Sequence, residues 1–387
     1  MNSYIFLCYN KLMEDLGIYV HIPFCESKCS YCNFVSFKVK EEEKKEYINN
    51  LCKEIGLYKN KEVNVDTIFI GGGTPTVCSS EDITKLFNSL NENFNINKNA
   101  EITLECNPNS FTEEKAKVYK SCGVNRLSFG LQSANNKLLK TINRVHNKKD
   151  FINAIKTAKN IGFKNINADI LLGIPNQKLI DVKNTIKLLL KLNITHISCY
   201  SLILEENTLL FRQINEGKLK LPKEEKVIKM YDYVVKKLNK HNIKRYEVSN
   251  FAKLGYECKH NLKYWNLTNY LGLGLNAHSK INNVRYENFS VLKEYNNSLK
   301  GNEKPIKNTT NLTLEDIKEE FIMLGLRKQE GVNLSLYEEF FGERLEKIKA
   351  HEVNFLLKNN FIKIVNNNLF ATNLGFKVLN QIILNLI

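Results

Sequence analysis

The segment YVHIPFCESKCSYCNF places three cysteines, Cys25, Cys29 and Cys32, in one short loop after an apolar run. A cubane iron–sulfur cluster is normally closed by four cysteine thiolates. Three thiolates at this spacing can hold three irons and leave the fourth iron open to an exchangeable ligand. The loop therefore predicts a [4Fe-4S] cluster, bound through these three cysteines, that also takes a second ligand.

Two other uses of these cysteines are less favoured. A structural zinc site needs a fourth nitrogen or sulfur ligand, and His21 lies on the strand side of Pro23 rather than at a ligand spacing. A disulfide is typical of secreted proteins. The sequence shows no secretory leader and has the size of an intracellular enzyme, which favours a cytoplasmic protein.

Other residues able to contact a ligand follow short apolar runs: Gly71–Gly73, Glu105, Gln132 and Asp169. Glycines let the backbone approach a ligand closely, although a tight turn explains them equally well. Buried carboxylates need hydrogen-bond donors, and the hydroxyls of a ribose are suitable donors. A structural role stays open for the three polar side chains, because buried polar groups need partners in any case.

The elements that must position these residues alternate between short apolar and longer amphipathic runs, which is typical of βα units around a parallel sheet. Strands are predicted at Gly17–His21, Thr67–Ile70, Glu101–Glu105, Arg126–Leu131, Asn167–Leu171, His196–Leu202 and Arg245–Val248. Helices are predicted at Glu41–Tyr58, Ser80–Asn93, Thr112–Cys122, Lys148–Ile161 and Ile180–Leu192, with Ser80 and Thr112 as N-caps. The candidate site residues then fall at or just after strand ends, where barrel enzymes build their sites.

The composition limits the choice of partner. The chain has 387 residues, a net charge of +15 and 43% hydrophobic residues, enough for one barrel-sized domain with a small appendage. Its lysines are spread along the predicted helices and form no arginine-rich tract with interleaved aromatics, so no specific nucleic-acid partner is expected. No apolar run is long enough for a transmembrane segment. Peripheral contact with a membrane surface stays open.

The cysteine loop resembles that of the radical S-adenosylmethionine (SAM) superfamily, whose members use CxxxCxxC to bind a [4Fe-4S] cluster and chelate SAM on the open iron. The segments GGGTP, LECNP, GLQS, NRVH, DILLGIP and HNLKYW are similar to those of the oxygen-independent coproporphyrinogen oxidase (HemN) group. Within that group the chain is most similar to the haem-chaperone branch. The similarity extends from about Gly17 to the C-terminus.

This resemblance implies a fold, a set of SAM contacts and a redox partner. The fold is α/β, a partial (β/α)6 barrel of the TIM type with a small C-terminal helical, winged-helix-like domain. An electron donor such as flavodoxin or ferredoxin would reduce the cluster, and SAM cleavage would yield a radical that abstracts hydrogen from a substrate. Ile203 aligns with a SAM-contacting position only by its distance from the motifs. The SAM contacts implied by matching motifs are Tyr19, Gly72, Gly73, Thr74, Glu105, Gln132, Arg144 and Asp169.

The HNLKYW segment matches the HNxxYW signature of the haem-chaperone branch, in which the histidine is a proposed haem ligand. The resemblance therefore implies that His260 contributes an axial ligand to haem iron, which is a common use of imidazole. The alternative is a histidine packed in an aromatic segment. His278 is a second candidate ligand, whereas His21 is expected to position the cluster loop.

The domain organisation predicted for the chain has four parts. Residues 1–16 form a lead-in, 17–245 the core barrel, 246–309 a connecting region with HNLKYW, and 310–387 a HemN-type C-terminal domain. Helices followed by a hairpin indicate a winged-helix-like fold, with Lys363–Phe370 as the wing. Because this wing is asparagine-rich rather than basic, we expect a lid or docking domain instead of a DNA-binding one.

Three functions remain under consideration. The favoured one is a haem chaperone on a radical SAM scaffold that delivers haem to an acceptor protein. The alternative is a radical SAM oxidoreductase similar to coproporphyrinogen III oxidase, and the third is a nucleic-acid-associated protein. Two departures disfavour the oxidase: Phe34 occupies the position of a fourth cysteine, and a long N-terminal closing segment is absent from the sequence.

Overall fold

The computed structural model describes residues 15–387, and its largest element is a sheet of twelve strands. Across the sheet the strands follow the order β12-β11-β10-β9-β1-β2-β3-β4-β5-β6-β8-β7. All but two residues of the predicted lead-in 1–16 lie outside the described residues. The strands are β1 Asp15–Ile22, β2 Asn60–Gly72, β3 Phe94–Cys106, β4 Arg126–Gln132, β5 Asn165–Leu172, β6 His196–Ser201, β7 Lys244–Arg245, β8 Asn250–Ala252, β9 Tyr270–Leu273, β10 His278–Ile281, β11 Val284–Asn288 and β12 Ile306–Asn311.

Strands β1 to β6 pair side by side in parallel, as the predicted βα units require. Strand β9 extends the parallel set next to β1, while β6 pairs antiparallel with β8 at the other edge. Strands β1 and β6 do not pair with each other. The sheet is therefore open, which confirms the predicted α/β fold with a partial barrel.

Side chains alternate along each strand between two environments. In β1, Ile18, Val20 and Ile22 are fully buried in the main hydrophobic core, which they share with the helices. In β4 the same face carries Leu127, Phe129 and Leu131, and the opposite face carries polar side chains. A period of two is the expected consequence of strand geometry. The helices thus cover the apolar face, and the concave face is left for polar residues.

The helices of the barrel part agree with the predicted positions to within a residue or two. Thr112 caps its helix as predicted, whereas Ser79, rather than the predicted Ser80, caps the helix before it by accepting a hydrogen bond from the amide of Asp82 at 3.1 Å. No helix within residues 15–387 has the length and apolar character needed to cross a bilayer. The helices are Glu41–Leu57, Ser80–Asn93, Glu113–Ser121, Asn136–Thr141, Lys148–Asn160, Leu179–Lys191, Leu209–Asn215, Glu224–Asn239, Lys259–Trp265 and Leu292–Lys300.

The C-terminal part has a hydrophobic core of its own around Leu326, Tyr337 and Leu369. Strands β13 Val332–Asn333, β14 Ile362–Val365 and β15 Asn368–Ala371 form a small antiparallel sheet, and β14 with β15 makes the hairpin predicted as a wing. The predicted boundary at 309/310 falls inside β12, which belongs to the large sheet. The helices of this part are Leu314–Arg327, Leu334–Phe341, Leu345–Ile348, Ala350–Lys358 and Leu379–Leu386.

A buried carboxylate ties the first helix to the edge of the sheet. Glu54 is fully buried and accepts hydrogen bonds from the amide of Gly274 at 2.8 Å, the Asn288 amide group at 2.7 Å and the Tyr295 hydroxyl at 2.6 Å. These donors come from three separate segments. A single side chain therefore satisfies three buried donors that have little access to water.

We predict that Glu54→Ala lowers the free energy of unfolding by about 2–4 kcal/mol, because it leaves buried donors without an acceptor. Urea unfolding at neutral pH measures this change. Glu42→Ala, at an exposed position of the same helix, is the matched control and should change stability by less than about 0.5 kcal/mol. Equal stability of the two variants would contradict the assigned role.

Candidate functional site

A cavity of about 150 Å³ opens at the carboxyl ends of the parallel strands, and we call it the cysteine cavity. It is lined by the thiols of Cys25, Cys29 and Cys32. The structure thus gathers three cysteines and most of the predicted SAM contacts around one space, which is the placement expected of a barrel site. The predicted contacts that line it are Gly72, Gly73, Thr74, Glu105, Gln132, Arg144 and Asp169.

The cysteine loop is held at both ends by backbone hydrogen bonds. The amide of Cys25 donates to the carbonyl of Phe37 at 3.1 Å, and the amide of Phe37 donates to the carbonyl of Pro23 at 2.9 Å. In the middle of the loop, the amide of Ser30 donates to the carbonyl of Ile142 at 3.1 Å. These contacts fix the loop without using any cysteine side chain.

His21 supports the same loop from the strand below. Its Nδ1 lies 2.9 Å from the Tyr19 hydroxyl and its Nε2 lies 3.1 Å from the carbonyl oxygen of Val35. The pKa of His21 is lowered by burial, which favours the neutral ring. In that state Nε2 donates to Val35 and Nδ1 accepts from Tyr19. This geometry agrees with the positioning role predicted for His21.

The thiols have polar neighbours that suit a sulfur-ligated cluster. The Cys25 sulfur lies 3.5 Å from the Thr74 hydroxyl, and Arg144 Nη1 donates to the Cys29 sulfur at 3.4 Å. Within residues 15–387, no three His, Cys, Asp or Glu side chains converge on a point where one metal ion could sit. A cubane cluster instead places each thiolate on a different iron. Three separated, partly exposed thiols around one cavity fit that donor set.

The glycines of the GGGTP segment are required by close contacts. Gly72 has a φ of +106°, and a Cβ at this position would lie 2.5 Å from the ring of His21. A Cβ on Gly73 would lie 2.6 Å from the carbonyl oxygen of Phe24. Only glycine fits at both positions. The backbone after β2 therefore comes directly against the cysteine loop and forms one wall of the cysteine cavity.

Two partly buried carboxylates face the cavity. Glu105 accepts a hydrogen bond from the amide of Gly72 at 3.1 Å, and Asp169 accepts one from the Asn167 side chain at 2.8 Å. Burial, followed by the nearby Asp169 carboxylate, raises the pKa of Glu105 to about 8. Burial also raises the pKa of Asp169. A cationic ligand would favour the ionised form of both carboxyl groups, because its positive charge would compensate their negative charges.

Arg144 and Gln132 are held in specific conformations at the cavity. The guanidinium of Arg144 donates to the Gly130 carbonyl at 2.7 Å and to Nδ1 of His146 at 3.3 Å, besides its contact with Cys29. Burial, followed by the Arg144 charge, lowers the pKa of His146 to about 3, so that this ring is a neutral acceptor. Gln132 has a φ of +62°, at a register shift between β4 and β5. Such left-handed residues are concentrated at functional sites.

A second cavity of about 490 Å³, here called the barrel cavity, continues from the cysteine cavity, with which it shares Cys32, Glu105 and Asp169. Ile203, which aligned only by its distance from the motifs, lines it. The motif comparison did not identify most of its other polar residues. The alternation of polar and apolar residues along β4, β5 and β6 does indicate these polar residues in the sequence, because they all lie on the polar face of the strands. These are Arg126, Ser128, Asn167, Ser198 and Tyr200.

Two predicted site residues do not line either cavity. The hydroxyl of Tyr19 is used in the contact with His21. His260 is only 1% exposed, and its ring nitrogens lie 2.9 Å from the hydroxyls of Thr67 and Tyr264. Neither nitrogen can reach haem iron unless one of these contacts breaks. In this structure His260 is a packed, hydrogen-bonded histidine, and its role as an axial haem ligand stays a prediction.

The residues of the HNLKYW helix line two different cavities. Asn261 lines the barrel cavity, whereas Trp265 lines a separate cavity of about 330 Å³ beside the C-terminal part, together with Phe321 and Lys328. His278, the second candidate haem ligand, is exposed. The motif therefore connects the barrel interior with the surface next to the C-terminal helices.

Comparison with known proteins agrees with this arrangement. A model of the radical SAM superfamily matches residues 19–189, and a model of the HemN C-terminal domain matches residues 312–378. The solved structure of coproporphyrinogen III oxidase (HemN) from Escherichia coli has a TM-score of 0.85 and 22% identity, covering 100% of this chain and 93% of that chain. That likeness shows the fold. The chain is a radical SAM protein with a HemN-type C-terminal domain.

Curated relatives are more similar in sequence. The haem chaperone HemW of Bacillus subtilis is 37% identical over 94% of this chain and 97% of its own length. HemW of Haemophilus influenzae is 32% identical over 90% of this chain and 92% of its own length, and HemW of Escherichia coli is 34% identical over 70% and 71%. The chain belongs to the HemW family.

We predict a pH-dependent stability from Glu105. Its pKa of about 8 lies above the ordinary 4.5, so its contribution to stability is complete below pH 4.5 and is lost as the pH rises through about 8. Urea unfolding of the ligand-free protein at pH 5, 6.5 and 8 should show Glu105→Gln gaining stability relative to wild type as the pH rises.

Glu114→Gln, which removes a carboxylate from an exposed helix position, is the control and should follow the wild-type curve. If the curves for wild type and Glu105→Gln ran parallel over this range, the Glu105 carboxyl would not have the raised pKa.

Proposed function

We propose that this protein is a haem chaperone built on a radical SAM scaffold, which binds a [4Fe-4S] cluster, SAM and haem and delivers haem to an acceptor protein. The observation that carries the proposal is the 37% identity to the Bacillus subtilis haem chaperone, which extends over 97% of that protein. Similarity over the whole length supports transfer of the complete function rather than of one domain.

In this proposal, Cys25, Cys29 and Cys32 hold the cluster, and SAM occupies the cysteine cavity. The backbone at Gly72 and Gly73 and the carboxylate of Glu105 meet the amino group, and Arg144 faces the carboxylate. The hydroxyls of the ribose donate to Asp169, with Gln132 alongside. The positive charge of SAM suits a cavity with two partly buried carboxylates, whose pKa values are raised because their negative charge is removed from water.

A bound cluster with SAM would supply one-electron chemistry. The contribution of the chain is to hold the thiols, to orient the ligand and to keep the site dry. Tyr31 lines both cavities and Phe34 stands 66% exposed at their common rim, so both aromatic side chains shield the thiols from one side. An electron donor such as flavodoxin or ferredoxin would reduce the cluster. We assign the protein to the cytoplasm, and peripheral contact with a membrane surface stays open.

The oxidase alternative has weaker support. The match to coproporphyrinogen III oxidase is structural, at 22% identity, and concerns the fold alone. In addition, Phe34 stands two positions after Cys32, where the sequence comparison expects a cysteine in the oxidase. The haem acceptor must have an exposed site for haem, because the chaperone function requires transfer between two proteins.

We predict that replacing Cys25, Cys29 and Cys32 by alanine abolishes the cluster. Anaerobic reconstitution of wild type should give about four irons per chain with a cubane spectrum. The triple variant should retain almost none of this iron. The matched control replaces Cys52 and Cys122, which are also partly exposed, and should retain the full iron content and spectrum. Iron retained in the triple variant would place the cluster elsewhere.

We predict further that the reconstituted protein binds about one haem per chain, as a haem protein with one axial site does, and does not convert coproporphyrinogen III. Absorption titration measures haem binding, and an anaerobic assay with SAM and reductant measures decarboxylation. The Escherichia coli oxidase serves as the positive control in the same assay. Product formation by this protein would support the oxidase alternative, and absence of haem binding would contradict the chaperone proposal.

A further inference from the structure

Arg126 is a buried charge without a partner. It begins β4 and is 1% exposed, and its Nε is buried without a hydrogen bond. Within residues 15–387, the guanidinium forms no hydrogen bond or ion pair. A buried charge that is neither paired nor hydrogen-bonded is costly, and native structures rarely keep one without a use. Its position in the barrel therefore needs an explanation.

Acidic groups nearby do not provide the missing contact. Glu101 and Asp169 are near enough to act on the charge of Arg126. However, Oε1 of Glu101 accepts from the amide of His260 at 3.2 Å and from the thiol of Cys258 at 3.5 Å. Asp169 accepts from Asn167. These carboxylates lower the energy of the charge at a distance, but they leave the donors of the guanidinium free.

The guanidinium lines the barrel cavity, where other donors are present. Asn261, from the HNLKYW helix, lines the same cavity, and its side-chain amide has no hydrogen-bond partner among the described residues. Ser198 also lines the cavity and donates to Asn167 at 3.2 Å. Arg126 and Asn261 therefore bring two sets of unused donors to one cavity. Such a pair suits an anion, and the planar guanidinium matches a carboxylate best.

Most of the surface exposed in the barrel cavity is hydrocarbon, although Glu105, Asp169 and Glu205 also line it. Phe69, Leu171, Leu202 and Ile203 contribute hydrocarbon surface, and Ile203 is 71% exposed, which places it at the opening. A ligand cavity with apolar walls and a few fixed polar groups selects a molecule of the same character. The occupant that fits is an apolar body carrying a carboxylate, with the carboxylate directed at Arg126.

We propose that Arg126 binds a propionate side chain of a tetrapyrrole that enters the barrel cavity. This inference rests on the proposed haem-chaperone function, which supplies an apolar ligand with carboxylates. Two of the five N–H groups of the guanidinium donate to the propionate oxygens, and the amide of Asn261 is placed to add a further hydrogen bond. Arg126 and Asn261 do not line the cysteine cavity, but the barrel cavity that they line borders the SAM contacts Glu105, Gln132 and Asp169.

The test compares metal-free protoporphyrin IX with its dimethyl ester, in the same non-ionic detergent, on the full-length protein with its cluster reconstituted. The ester keeps the macrocycle and lacks free carboxylates. Wild type should bind the free acid at least about tenfold more tightly than the ester, in line with a charge-assisted, bidentate contact. Arg126→Gln should remove this preference and leave the affinity for the ester within about twofold.

Arg212→Gln, at an exposed position, removes the same charge and should keep the preference. Arg126→Lys, which retains the positive charge, gives a second folded variant and should show an intermediate preference. Affinity for SAM should stay within about twofold in both Arg126 variants. Circular dichroism checks that each variant is folded.

The proposal is overturned if wild type does not distinguish the acid from the ester, because that comparison needs no variant. It is also overturned if both Arg126 variants weaken the acid, the ester and SAM alike, since Arg126 would then only shape the barrel. Because the porphyrin has no iron, the outcome is independent of axial ligation and haem transfer. A protein that fails to deliver haem can still show the preference, so the two proposals fail separately.

Discussion

Charged side chains on the concave face of the sheet impose the main physical constraint on this protein. Parallel strands are buried on both faces, and here the convex face is apolar while the concave face carries Arg126, Glu105 and Asp169. Removing such groups from water is costly unless hydrogen bonds or opposite charges compensate. The polar interior is tolerated because each carboxylate receives a donor, from the Gly72 backbone or from Asn167. The guanidinium of Arg126 has no such hydrogen-bond partner, and it therefore marks the place where we propose that a ligand binds.

The fold was predictable from the sequence to a large extent, because strand alternation and helix periodicity are local patterns. The core strands β1 to β6 and the helices between them occur where the patterns indicate. The strand ends also brought the cysteine loop, Glu105 and Asp169 together, since parallel strands all present their carboxyl ends at one edge. Details that depend on one hydrogen bond were less predictable, as the cap at Ser79 instead of Ser80 illustrates.

The predicted site and the structure differ in two places, and both differences have a common cause. A motif identifies residues, but it does not tell which way a side chain faces in the folded chain. His260 was predicted from the HNLKYW motif, yet its ring is enclosed by Thr67 and Tyr264. Arg126 belongs to none of the motifs, although it occupies the polar face of β4. The direction in which a side chain points depends on how helices and strands pack together. A single sequence specifies that packing only indirectly.

The hydrogen bonds that hold the cysteine loop bear on how the loop would receive a cluster. The contacts between Cys25 and Phe37, between Ser30 and Ile142, and between His21 and Val35 involve no sulfur atom. In small zinc domains the metal supplies the folding free energy, and the metal-free chain is unfolded. Here the loop takes its shape from the chain itself. A cluster bound through these cysteines would therefore meet a loop whose shape is already held by the polypeptide, at the open side of the cysteine cavity.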